Sequence, residues 1–225
     1  IVSFEGQTNL GNGNVTLCAE RVDTEWGSAT NLQLTLQAAS IEGQTNWVNA
    51  DLVLAAGAFE TRWGSATNAQ FHAQWVHSLT NPVPLTGEGR LRFNQATSEW
   101  GAAREIQING RLATPATYTP PRSDESWAWW AKLEPYVLDW DCHLRGLQSR
   151  GLEAEDVACT GHWRAPDLTI TNLHAELYQR GFDVCAGLDV ATRELGLRFS
   201  SALDPHKIAP LLSESAQRSL ALVSW

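Results

Sequence analysis

The chain has 225 residues, 43% hydrophobic and 18% charged, with a formal net charge of −9; that length suits one large or two small domains, and the composition excludes a disordered chain. The acidic balance, with an isoelectric point of about 5.1, argues against the broad basic surface of a nucleic-acid-binding domain. No run of eighteen apolar residues offers a membrane-spanning helix, and four cysteines (Cys18, Cys142, Cys159, Cys185) are too few and too scattered for a disulfide scaffold.

The chain lacks Met and opens on an alternating Ile1-Val2-Ser3-Phe4, so a segment of a longer protein is expected, with targeting elements outside it. Thr24-Glu25-Trp26-Gly27-Ser28-Ala29-Thr30-Asn31 returns as Thr61-Arg62-Trp63-Gly64-Ser65-Ala66-Thr67-Asn68, and more loosely as Ser98-Glu99-Trp100-Gly101-Ala102-Ala103. Trp26, Trp63 and Trp100 are each 37 residues apart, a period that marks an array of one supersecondary unit whose apolar face is covered by its neighbours.

The flanks of each Trp-Gly alternate with period two. Leu32, Leu34 and Leu36, then Ala69, Phe71, Ala73 and Trp75, then Ile106, Ile108, Gly110 and Leu112 follow their Trp at matching offsets. Val15, Leu17 and Ala19, Leu52, Leu54 and Ala56, and Leu91 and Phe93 precede it. Gln, Thr, His, Asn and Arg fill the alternate positions. Each unit therefore reads as strand, Trp-Gly turn, strand, and the short linkers require an antiparallel meander with one apolar and one wet face. The Trp side chains are expected at equivalent places along one sheet edge, as rim plugs.

The repeats occupy 1–113. A loop by composition opens segment 114–135, where Ser123 caps a short helix running to Glu134, its Trp127 and Trp130 expected to pack on the sheet. A second strand series fills 136–203, with Leu138, Trp140, Cys142 and Leu144 first and Leu195, Leu197 and Phe199 last. Segment 204–225 reads as short helices, with Asp204 as N-cap and Pro205 in the first turn.

Gly161-His162-Trp163-Arg164-Ala165-Pro166-Asp167-Leu168-Thr169-Ile170-Thr171-Asn172-Leu173-His174-Ala175-Glu176-Leu177 resembles AsmA-like proteins of bacterial envelopes, as do Leu188-Asp189-Val190-Ala191-Thr192-Arg193-Glu194-Leu195 and Leu203 through Leu212. The resemblance covers the C-terminal half, and the Trp-Gly repeats more loosely. It relates the chain to TamB-like and bridge-like lipid-transfer proteins. It implies a mainly β fold, a long curved antiparallel sheet shaped like a taco with an apolar groove, and a few short helices. It further implies a periplasmic body, inner-membrane anchorage through a segment absent here, and a part in outer-membrane biogenesis and lipid transport. The partner is then a phospholipid or other acyl-chain ligand, with no nucleic acid, no cofactor and no catalytic residue to carry over. The groove candidates are Leu32, Leu34, Leu36, Leu52, Leu54, Phe71, Trp75, Leu91, Phe93, Ile106 and Ile108.

Other constellations are weaker. Cys142, His143, Cys159 and His162 are zinc-type ligands without compact spacing, and Cys142 and His143 face opposite ways on a strand. Cys142 and Cys159 fall on adjacent strands, which leaves a periplasmic disulfide open beside the default of buried thiols. Asp139 and Asp141 share a face and suit a glycan-active acid pair, against which stands an ordinary solvated face. No nucleophile elbow joins Ser, His and Asp, and the dispersed histidines read as surface. The expectation is a non-enzyme without metal or cofactor. The competing class is a β-repeat scaffold or adhesin-like module with exposed aromatics and a sealed core.

Overall fold

The computed structural model describes residues 2–6, 12–113, 130, 133–134, 136–149, 152–177, 180–201 and 218. They form twelve strands: β1 (Val2–Gly6), β2 (Gly13–Thr24), β3 (Gly27–Ile41), β4 (Gln44–Thr61), β5 (Gly64–Ser78), β6 (Asn81–Ser98), β7 (Gly101–Ala113), β8 (Val137–Ser149), β9 (Leu152–Arg164), β10 (Asp167–Leu177), β11 (Arg180–Asp189) and β12 (Glu194–Ser201). Every strand pairs antiparallel with its sequence neighbours in a single open sheet ordered β1 to β12. This is the meander that short linkers dictate. The second series continues the first directly, because Ile106 faces Leu144 and Ile108 faces Cys142 across β7 and β8. Among the described residues there is no complete helix. The expected helices over 123–134 and 204–225 lie mostly outside them: of the first, Trp130 (half-buried), Leu133 (exposed) and Glu134 are described, and of the second, exposed and helical Arg218.

The Trp-Gly repeat is a hairpin turn built the same way three times. The hydroxyl of Thr24 accepts from the Trp26 N–H at 3.2 Å and donates to the Gly27 carbonyl at 3.0 Å. Thr61 does the same for Trp63 and Gly64 at 3.2 and 3.1 Å. Ser98 closes Trp100 and Gly101 at 3.2 Å in each bond. A Ser or Thr hydroxyl that bonds the backbone two and three residues on stabilises a tight turn locally. The glycine has a steric reason. A Cβ on Gly27 would lie 2.2 Å from the Glu60 carbonyl oxygen, on Gly64 2.2 Å from that of Thr97, and on Gly101 2.3 Å from that of Gln148. The strand across the next hairpin gap presses on the start of the repeat, and only glycine fits there.

The three Trp occupy equivalent positions at hairpin tips along one edge, but they do not plug a rim: Trp26 is 64%, Trp63 47% and Trp100 57% exposed. The turn holds the backbone while the ring points outward, and the Arg62 guanidinium sits 4.2 Å above the Trp63 ring. The best-buried cluster lies elsewhere, at Ala154, Val157, Ala175 and Leu177 on β9 and β10, with Leu144, Leu147, Leu173 and Phe182 packed on it.

Candidate functional site

Residues directly opposite each other in a sheet share a face, so the pairing registers trace rows of side chains across the strands. One row runs Leu17, Leu34, Leu54, Phe71, Leu91, Ile108, Cys142, Cys159, Leu173 and Val184, from β2 to β11 without a polar residue. Beside it Val15, Leu36, Leu52 and Ala73 lead to Gly89, Gly110 and Trp140. Ala50, Trp75, Gly87 and Leu112 lie in the next row on one side. On the other side Leu32 pairs with Ala19, and Phe93 with Ile106. All the groove candidates therefore lie on one face.

The face survives an irregularity that alternation alone misplaces. In β10 the register shifts between Ile170 and Leu173, which face Gly161 and Cys159 respectively. Against β9 the extra residue is Thr171, since Asn172 still pairs with Thr160, so Ile170 and Leu173, of opposite sequence parity, stay on the same side.

Every groove candidate is half-buried: neither sealed in a core nor fully exposed. A depression of about 390 Å³ opens among Phe71, Trp75, Leu91, Ile108, Leu112 and Leu138. Its floor is Gly87, Gly89 and Gly110, where missing side chains leave room between the larger ones.

The opposite face is polar and cross-linked by hydrogen bonds. Asp51 pairs with His72 at 3.0 Å and accepts from the Gln74 amide at 2.6 Å, and these bonds, His72 first, hold its carboxyl below the usual range. Asn109 accepts from Arg90 at 3.0 Å and donates to Asp141 at 2.6 Å. His162 meets Asp139 at 2.6 Å and His174 meets Asp183 at 2.8 Å. The Asp183 bond raises the His174 pKa above its ordinary value. A trough of about 640 Å³ crosses this face, bordered by Glu88, Arg90, Arg111, Asp139 and Asp141 among others. Asp139 and Asp141 each have their own partner and form no isolated acid pair. The cross-strand His–Asp pairs were invisible in the sequence, since pairing partners are 9 to 23 residues apart. His77 departs from the expected surface placement. It lies opposite Val48, in line with Trp75, and its Nδ1 is buried without a partner among the described residues.

Cys142 and Cys159 face each other directly and are free thiols. Burial, then the neighbouring Cys159, pushes the Cys142 thiol up to about 11. Both lie on the apolar face, whereas His143 and His162 lie on the polar one, so the zinc-type set does not converge. Among the described residues no group of three potential metal ligands assembles. No helix among them is long and apolar enough to cross a membrane.

No protein-family model, curated protein or solved structure matches the chain.

Proposed function

We propose that this chain is a segment of an AsmA-like periplasmic protein whose apolar face shields or conducts acyl chains during outer-membrane biogenesis. The observation that supports it is the unbroken apolar row from Leu17 to Val184, whose side chains are half-accessible except for buried Cys159. Each methylene removed from water contributes about 0.8 kcal/mol, so a two-tailed lipid can travel only along a path lined throughout. Methylenes make no directional bonds, which leaves such a path unselective among tails. With twelve strands about 4.8 Å apart, the face is roughly 50 Å wide, one piece of a longer conduit.

Lipid extraction and native mass spectrometry of the purified segment test this reading. Bound phospholipid is expected, with loss on Leu34→Asp or Ile108→Asp. A folded segment that carries no lipid, and in which photo-crosslinkable lipid labels neither position 34 nor 108, overturns it.

A second reading, a β-repeat binding scaffold, draws on the three outward Trp at hairpin tips. Exposed aromatics at regular spacing are an expense in solubility that a partner-binding edge explains. Partner capture that depends on Trp26, Trp63 and Trp100, with no lipid bound to the wild type, selects it.

A further inference from the structure

Among the described residues β12 is the last strand of the sheet, with no strand hydrogen-bonded to its outer side, and its composition is unusual for an edge. An edge strand turns a line of unpaired N–H and C=O groups outward, and proteins ordinarily blunt it with Pro, Lys or inward-pointing charge. β12 begins Glu194-Leu195-Gly196-Leu197-Arg198; it carries no Pro and no Lys, and its two charges flank a Leu-Gly-Leu run. Leu195 and Leu197 are 60% and 65% exposed, although they stand opposite Leu188 and Ala186 on the apolar face. Glu194 has an unfavourable neighbour within the chain, since the residue opposite it on β11 is Asp189; like charges in that position repel.

The edge is also held in place. Asp189 Oδ1 accepts from the Ala191 and Thr192 N–H groups at 2.8 and 3.0 Å. The Arg193 N–H donates to the Asp189 carbonyl at 2.8 Å, and Val190, 1% exposed, donates to the Pro166 carbonyl at 3.0 Å. The β11–β12 turn is thus anchored to the β9–β10 turn, and β12 is presented without an ordering cost at association.

We propose that β12 is a homodimerisation edge, pairing antiparallel with β12 of a second copy about a two-fold axis at Gly196. A two-fold axis normal to the sheet preserves both faces, so only registers that match residues of the same parity are possible. Centring on Gly196 places Glu194 opposite Arg198 of the second copy, twice by symmetry, and Leu195 opposite Leu197, also twice. Centring on Leu195 or Leu197 instead leaves Glu194 facing Gly196 or Ser200, and the charges lose each other. The strand is therefore self-complementary in one register, with ion pairs on the polar face and leucines on the apolar face. The apolar rows of the two copies then join across the axis. This mode is strand addition, with backbone hydrogen bonds supplying affinity and alternate side chains the register.

Sedimentation and light scattering up to about 100 µM protein in low salt test the proposal. Twice the 24.8 kDa chain mass is expected. Glu194→Arg and Arg198→Glu each turn both attractive pairs repulsive and should weaken the dimer about tenfold. The double variant Glu194→Arg/Arg198→Glu restores the pairs and should recover wild-type affinity. Circular dichroism of each variant checks the fold, which exposed edge charges should not disturb. Independently, Gly196→Cys in a Cys18→Ser/Cys185→Ser background should form a 196–196 bridge under mild oxidation. A wild-type monomer throughout, no recovery in the double variant, an open-ended ladder of oligomers, or failure of the 196–196 bridge overturns the proposal.

Discussion

The glycine of the Trp-Gly repeat offers the sharpest test of the fold. In Gly64→Ala the new Cβ would sit 2.2 Å from the Thr97 carbonyl oxygen and 3.3 Å from the Ser98 Cα. Tolerable contact needs a displacement of about 1 Å, and the obstacle is backbone, not the free end of a side chain. Thr97 and Ser98 pair with Ser65 and Gly64, the Ser65 and Thr97 hydroxyls bond at 2.8 Å, and Ser98 closes the following Trp100 turn. One methyl therefore disturbs two hairpins. Overpacking costs about 1–3 kcal/mol, and loss of the hydroxyl pair about 1 kcal/mol more. At about 2–4 °C per kcal/mol for a chain of this size, a fall in Tm of roughly 10 °C is expected. Gly187→Ala is the comparator, since nothing lies within 4 Å of a Cβ there; it should change stability by less than about 0.5 kcal/mol. Chemical and thermal denaturation of both variants decide the matter. If Gly64→Ala is as stable as Gly187→Ala, the steric account of the repeat is wrong.

Further outcomes follow from the same structure. Thr61→Val removes the acceptor of the Trp63 N–H and should cost about 1 kcal/mol by urea denaturation; Thr24→Val should cost at least as much, because Thr24 also accepts from the Gly27 N–H at 3.2 Å. An equal-stability result for either would remove the hydroxyl from the turn's energetics. Iodoacetamide at pH 8 should label exposed Cys18 and Cys185 well before Cys142 and buried Cys159, because burial raises both inner thiols; peptide mass mapping reads the order, and uniform labelling contradicts it. Backbone N–H groups of Thr192, then Ala191, depress the Asp189 pKa below its ordinary 3.8. Its stabilising contribution is therefore present above pH 3.8 and is lost as pH falls through the lower folded value. Asp189→Asn should flatten that acid limb in a pH series of denaturation curves, and an unchanged limb would show that Asp189 does not contribute to it.

Alternation and the 37-residue period were sufficient to place the groove candidates on one face and the three Trp at equivalent turns. Both are local properties: a strand's side chains alternate whatever lies beside it, and identical segments make identical turns. Most of the helix expected over 123–134 lies outside the described residues. What the tertiary pairing alone decided is everything that crosses strands. Gly64 is obligatory because of Thr97, 33 positions away in the chain. Asp139 is paired because β9 brings His162 beside it, and Ile170 and Leu173 share a face because β10 bulges. The Trp rings point outward instead of plugging the rim, since exposure depends on what the neighbouring hairpins leave uncovered. Leu195 and Leu197 alternate like any core pair in sequence, and their exposure goes with their place on β12, the last strand among the described residues.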